Sequence, residues 1–200
     1  NATKIGILSW KAEYDANRRV IVQEGYSDLA NTQLVARYEF DQANKVVVGY
    51  FNRTGITRAW KFHVEMNKKN DPVNYMDELL WQEYRGIRTD YSFGATVDGR
   101  GIVTGRLSNG VVRTWSYHIG VDEFGNAVNI FDRLESETSA AGFRTTFRYT
   151  ATEIVGTLYN GAERVWQRID TVDEMGNPLV MFGDLLRETA MDPKTRKIIR

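Results

Sequence analysis

The sequence predicts an all-β protein, an antiparallel meander of about 14 strands built from about seven β-hairpin repeats of roughly 25 residues. Short stretches such as EYDANRRV at residues 13–20 and EFDQANKV at residues 39–46 recur along the chain. Before each recurring stretch apolar and polar residues alternate, which places the apolar side chains on one face of a strand. A helix would instead bring together residues three and four positions apart, and that stripe is absent from these stretches.

Each copy is anchored on an aspartate or on the residue in its place. An Asp side chain accepts a hydrogen bond from backbone two residues further on, and Gly or Asn then adopts the left-handed conformation of a tight turn. Gly or Asn stands three positions after five of the seven anchors, whereas Arg18 and Glu153 break the pattern. Each anchor is therefore predicted to be a hairpin tip. The anchors are Asp15, Asp41, Asn67, Asp98, Asp122, Thr150 and Asp173, and the predicted turn glycines are Gly101, Gly125 and Gly176.

A second set of turns links one hairpin to the next, with NRTG at 52–55, SNG at 108–110 and YNG at 159–161. Asn-Gly between alternating runs is a strong hairpin signal. The segment at 71–86 departs from the period. A helical turn or two is one interpretation, and a strand with a bulged or lengthened loop is favoured. Residues 189–200 are interpreted as a frayed or truncated eighth repeat, and residues 1–200 as a single domain.

One face of such a sheet is apolar and has to be covered, because burying apolar area is worth about 25 cal/mol per Å². Curling into a flattened barrel or a coiled sheet would cover it. Apolar or aromatic residues stand seven positions before the anchors, and an arginine stands two positions before each of the three tryptophans among them. The tryptophan column is Trp60, Trp115 and Trp166, and the arginine column is Arg58, Arg113 and Arg164.

These two columns supply the candidate binding residues. The tryptophan rings suit stacking on the apolar faces of sugars, and packing in the core is the alternative. The arginines suit anion binding, and pairing with acids across the strands is the alternative. The only histidines, His63 and His118, stand at equivalent positions in two copies. They could share a metal ion or a proton, or their placement is a coincidence.

Composition excludes several function classes. Lys+Arg and Asp+Glu both number 26, so no basic excess indicates a nucleic-acid partner. No apolar run is long enough for a membrane-spanning helix, and the lack of cysteine excludes disulfides, thiolate metal sites and cysteine nucleophiles. The sequence contains no catalytic or metal-binding motif, so it predicts no catalytic residue, metal or cofactor. A removed signal peptide or a chain boundary would explain the start at Asn1, and a secreted, periplasmic or cell-surface location is expected.

The repeats resemble YD repeats, which are found in RHS-type proteins and teneurins. The family order aromatic–Asp–x–x–Gly–Arg–apolar is matched by YDANRRV, except that Arg18 replaces the glycine, and FDQANKV carries Asn44 and Lys45 for Gly-Arg. VDEFGNAV keeps Gly125, and MDPKTRK near the end is similar to the TDPxG element between YD hairpins. The resemblance implies hairpin meanders that form shells around toxin payloads, and a link to carbohydrate binding. MORN-type repeats are a second resemblance, carried by YNGAERVW and SNGVVRTW.

Seven copies are too few for such a shell, so a short exported bacterial relative is expected. The expected function is a non-enzymatic binding or structural module whose partner is a glycan, a protein or a component of the cell envelope. Two alternatives stay open. One is a glycoside hydrolase-like enzyme with two surface carboxyls roughly 5–10 Å apart, and the other is a fragment of an RHS-type toxin-delivery shell.

Overall fold

The computed structural model describes residues 7–97, 100–121, 127–172 and 176–189. Within these ranges every regular element is a β-strand, and none of them contains a helix that could span a membrane. The strands are β1 (Ser9–Tyr14), β2 (Val20–Tyr26), β3 (Leu34–Asp41), β4 (Val46–Phe51), β5 (Ile56–Met66), β6 (Pro72–Tyr84), β7 (Ile87–Val97), β8 (Arg100–Leu107), β9 (Val112–Val121), β10 (Ala127–Thr138), β11 (Arg144–Tyr149), β12 (Glu153–Thr157), β13 (Glu163–Val172) and β14 (Pro178–Glu188).

The 14 strands form one antiparallel sheet in which each strand pairs with its neighbours in the chain. This meander confirms the predicted fold class and strand number. Among the described residues β1 and β14 each pair with a single neighbour, so the strand order does not close into a barrel. The segment at 71–86 contributes strand β6, as the sequence favoured. Its register against β5 shifts on both sides of Trp60, which indicates bulges in the longer strand.

The described anchors all lie at hairpin tips, directly after an odd-numbered strand or at its end. The carboxylate of Asp41 accepts hydrogen bonds from the backbone N–H groups two and three residues further on, both at 3.0 Å. The hydroxyl of Thr150 accepts one from the N–H three residues on, at 2.9 Å. Asp15 and Asn67 form the corresponding turns after β1 and β5. The side-chain oxygen of the anchor therefore accepts the backbone N–H groups of the turn, where the chain reverses.

Two of the predicted turn glycines are described. Gly176 has φ +85°, the left-handed conformation that glycine adopts easily. Gly101 lies instead in β8 and pairs with Tyr117, which corrects its assignment to a turn. A Cβ at Gly101 would lie 2.1 Å from the Tyr117 ring, so this position needs glycine for space rather than for turning. Gly125, Asp98, Asp122 and Asp173 lie outside the described residues.

The chain divides into two compact units, residues 1–90 with 121–128 and residues 91–120 with 129–200. Phe40, Val47 and Phe62 form a buried cluster in the first unit, from strands β3, β4 and β5. Val103 and Ile154 are fully buried in the second unit. The interpretation of residues 1–200 as a single domain stays a prediction.

Apolar residues beside the hairpin tips are exposed, although the alternation predicted them to be covered. Tyr14, Met66 and Val172 each precede an anchor and are 61%, 62% and 61% exposed. Phe40 stands in the equivalent position of another copy and is only 8% exposed. A side chain at the end of a strand has neighbours on fewer sides, so alternation identifies its face but not its burial.

Candidate functional site

The tryptophan column lies in clusters of aromatic rings. Each tryptophan is half-buried and packs against two other rings, with centroids 5.3 to 6.5 Å apart. Tilted, edge-to-face and offset-stacked pairs at such distances are typical of packed aromatic groups. The partners are Tyr38 and Phe51 for Trp60, Tyr91 and Phe131 for Trp115, and Phe147 and Phe182 for Trp166. These contacts favour core packing, and the sugar-stacking role of the column stays a prediction.

A glycine lies beneath two of these tryptophans. A Cβ at Gly49 would lie 2.9 Å from the ring of Trp60, and a Cβ at Gly156 would lie 2.9 Å from the ring of Trp166. The missing side chain lets each ring approach the backbone of the neighbouring strand. The sequence signal that could have indicated this packing is a glycine in the middle of an even-numbered strand.

Each arginine of the column donates a hydrogen bond through Nε to a residue 24 positions further along the chain. The acceptors lie on the next strand, so each contact crosses the sheet between neighbours. The pairs are Arg58 with Gln82 at 2.7 Å, Arg113 with Glu137 at 2.6 Å, and Arg164 with Glu188 at 2.6 Å. The contacts favour the structural alternative, and anion binding by this column stays a prediction.

Each histidine also has a carboxylate partner 14 positions further along. Nδ1 of His63 lies 2.7 Å from Asp77, and its Nε2 lies 3.3 Å from Glu65. Nδ1 of His118 lies 3.6 Å from Asp132, whose side chain is 9% exposed. In the part of the chain that the structure describes, no group of three or more His, Cys, Asp or Glu side chains is arranged to hold a metal ion. Each histidine therefore lies beside a carboxylate of its own unit.

The first unit contains a cavity of about 680 Å³ between two hairpin tips, termed the tip cavity. Small-molecule sites commonly have volumes of about 300–1,000 Å³. One wall comes from the β1–β2 tip, the opposite wall from the β5–β6 tip, and β3 contributes between them. The lining residues are Tyr14, Asp15, Arg18, Val20, Gln23, Phe40, Asp71, Pro72, Val73 and Asn74.

The two tips that enclose the cavity have the same turn geometry. In each, the side-chain oxygen of the anchor, Asp15 or Asn67, accepts the backbone N–H groups two and four residues further on at 2.8 to 2.9 Å. The third residue after each anchor is left-handed, with φ 62° at Arg18 and 60° at Asn70. Both walls are therefore held by hydrogen bonds within their own turns.

Further hydrogen bonds join the walls. The carbonyl oxygen of Val20 accepts hydrogen bonds from Nε2 of Gln42 at 2.8 Å and from Nδ2 of Asn74 at 3.2 Å. Nη2 of Arg18 donates to Oδ1 of Asp71 at 2.5 Å, a contact between residues 53 positions apart. The cavity is therefore built from two sequence copies that are tied to each other at two places.

The cavity combines apolar surface with polar groups of different kinds. Phe40 is buried, whereas the ring of Tyr14 is exposed. Gln23 and Asn74 contribute amides, which both donate and accept hydrogen bonds. The backbone N–H and the guanidinium of Arg19 hold the pKa of Asp15 below its ordinary value, so this carboxylate is ionised at neutral pH. Such a surface can bind a polar ligand, but Asp15 is unsuited to donating a proton.

The sequence did not predict the tip cavity. Its walls belong to the first and third copies, and their approach depends on how strongly the intervening strands curl. Repeat spacing carries no information on that curl. One residue did carry a signal, because Arg18 stands where the turn pattern calls for Gly or Asn.

No protein-family model matches the chain, and no curated protein is similar to it. The fold and the cavity define a class rather than a family: an all-β hairpin-repeat protein with a concave site of ligand size in its first unit.

Proposed function

We propose that the chain is an exported, non-enzymatic binding module and that the tip cavity binds a carbohydrate. The observation that carries this proposal is the combination, in one cavity of about 680 Å³, of an exposed tyrosine ring with amide and charged side chains. Sugars present apolar C–H faces, which stack on aromatic rings, and hydroxyl groups, which exchange hydrogen bonds with amides and carboxylates. Tyr14, Gln23 and Asn74 supply these two kinds of contact.

The construction of the walls supports binding rather than catalysis. A glycosidase needs one carboxyl group with a raised pKa as its acid and a second as base or nucleophile. In the tip cavity the pKa of Asp15 is lowered, and Asp71 is ion-paired with Arg18. The environment of Asp15 therefore does not favour a protonated acid. The resemblance to YD repeats also supports a binding or structural role.

A glycan array followed by NMR mapping tests the proposal. Bound glycans are titrated into ¹⁵N-labelled protein, and we expect the largest shifts at the side-chain amides of Gln23 and Asn74. Val73→Trp, which fills the cavity, should abolish binding while circular dichroism stays that of a β-protein. Tyr84→Ala is a control outside the cavity and should leave binding unchanged, because Tyr84 is a partly exposed tyrosine at another turn of the same unit.

The proposal fails if no glycan binds. It also fails if bound glycans shift residues of the tryptophan column instead of the cavity, or if the Val73→Trp protein binds them as well as the unchanged chain.

A further inference from the structure

Arg18 adopts a backbone conformation that costs more for arginine than for glycine. Its φ is +62°, and the equivalent turn positions of two other copies, Asn70 and Gly176, have φ +60° and +85°. The left-handed region brings Cβ close to the following carbonyl oxygen, so glycine and asparagine occupy it most easily. The turn itself would therefore be more stable with glycine at position 18.

The contacts of Arg18 offset little of this cost. Its ion pair with Asp71 is exposed, with 76% of the arginine side chain accessible, and exposed ion pairs contribute little to stability. Two other basic residues with positive φ, Lys45 and Arg85, hold their cationic groups over aromatic rings. Arg18 instead holds its guanidinium at the tip cavity. A strained backbone conformation whose free-energy cost is offset only weakly by local contacts is typical of residues that contact ligands.

We propose that Arg18 makes the tip cavity selective for a carbohydrate that carries a carboxylate, as uronic acids do. This inference rests on the proposed function and names the ligand class. A guanidinium has five N–H donors in a planar fork that matches a carboxylate, and the hydrogen bond to Asp71 uses one of them. The ligand carboxylate pairs with Arg18 while Gln23 and Asn74 bond its hydroxyl groups.

Asp71 is the residue that opposes such a ligand. The other lining carboxylate, Asp15, is paired with Arg19 at 2.7 Å, so its charge is already balanced. Asp71 shares Arg18 with the incoming carboxylate and repels it. Removing the charge of Asp71 should therefore strengthen binding, while removing the charge of Arg18 should weaken it. These opposite effects from one ion pair distinguish ligand recognition from a merely structural role.

Matched ligands test the inference. The probes are hexamers of galacturonate, glucuronate and mannuronate, each compared with its methyl ester by isothermal titration calorimetry on the full chain. The ester keeps the sugar and removes the charge. We expect at least one acid to bind about tenfold more tightly than its ester, because hydrogen bonds to charged groups are the strong ones. Asp71→Asn should raise the affinity for that acid.

Three substitutions separate binding from folding. Arg18→Gln should reduce the affinity for the acid about tenfold. Arg18→Gly should reduce it equally while the urea midpoint is unchanged or higher, because the turn then contains the residue it prefers. Arg85→Gly makes the same change at φ +51° outside the cavity and should leave binding unchanged.

The inference is overturned if the esters bind as tightly as the acids, if Arg18→Gly retains full affinity, or if no uronic acid binds. Binding of uncharged glycans at the cavity, mapped at Gln23 and Asn74, would overturn the inference and leave the proposed function standing. If no ligand of either kind shifts the cavity residues, both proposals fail.

Discussion

The aromatic clusters around Trp60 in the first unit and around Trp166 in the second have the same construction but different burial. In both, the tryptophan packs on two rings and over a glycine of the preceding strand. Beside Trp60, the ring of Phe62 is 2% exposed. Beside Trp166, Phe182 and Leu185 are 37% and 51% exposed.

The difference follows from the place of each cluster in the strand order. Trp60 lies on β5, which has further strands on both sides, whereas Trp166 lies on β13, next to the edge strand β14. The local pattern of rings and glycine decides which side chains meet. The number of neighbouring strands decides how much water those side chains lose, and that sets the free energy that each contributes.

Truncating one ring in each unit should show the largest contrast. We expect Phe62→Ala to lower the free energy of unfolding by about 3–5 kcal/mol, because it leaves a cavity in a buried cluster. Phe182→Ala should cost about 1–2 kcal/mol, because part of the ring is already in water. Urea unfolding followed by circular dichroism measures both, and equal losses would contradict the role assigned to strand order.

Filling the space beneath the two tryptophans should give the next largest loss in the free energy of unfolding. A Cβ at either glycine would lie 2.9 Å from an indole ring, so the ring has to move. We expect Gly49→Ala to cost about 2–3 kcal/mol and Gly156→Ala about 1 kcal/mol, because a ring near the edge can shift towards solvent. The same urea titration measures which of the two losses is larger. Gly55→Ala is not a suitable control, because Gly55 has φ +68° and an alanine there would strain the backbone.

Exchanging the acceptors of the arginine column should change the free energy of unfolding by a smaller amount. Arg58 donates to the neutral Gln82, whereas Arg164 donates to Glu188. We expect Gln82→Glu to stabilise the first unit by about 0.2–1 kcal/mol and Glu188→Gln to destabilise the second by a similar amount. Both effects should shrink in high salt. Salt-independent changes would show that charge is not the cause.

The described aspartate anchors and the threonine anchor should respond differently to acid, which is the smallest change in stability expected. Backbone N–H groups of Arg19 and Asn44 lower the pKa of Asp15 and Asp41 from the ordinary value of 3.8. A lowered folded-state pKa gives stability that is present above pH 3.8 and is lost as the pH falls through the folded value.

The second unit offers the test, because its described anchor is the neutral Thr150. In Thr150→Asp the urea midpoint should fall below about pH 4 by more than it does in the unchanged chain. In Asp15→Asn it should fall by less. A profile that neither substitution alters would contradict this account of the anchors.

The sequence predicted the strands and their order because both depend on local information. Alternation marked the strands, and the anchors marked the reversals, even where Thr150 replaced aspartate. The long segment that forms β6 departs from the period, and the favoured interpretation of it as a strand is confirmed. Each of these features involves residues close in sequence or paired across one turn.

Burial and the candidate site were less predictable because they depend on distant copies. Tyr14 and Phe40 occupy the same repeat position, yet one is exposed and the other buried. Gly101 was assigned to a turn because it stands three positions after Asp98, whereas the ring of Tyr117 on another hairpin is what requires glycine there. The contact between Arg18 and Asp71 spans 53 positions, and nothing in the repeat period indicates it.

The glycines beneath Trp60 and Trp166 have a consequence for how a chain of similar hairpins reaches one alignment. Two strands of such a sheet can slide past each other by two residues and still keep their apolar sides matched. Sliding β4 by two residues would put Val47 or Phe51 under the indole in place of Gly49, where even a methyl group does not fit. The absence of a side chain at one position thus favours a single register between neighbouring strands.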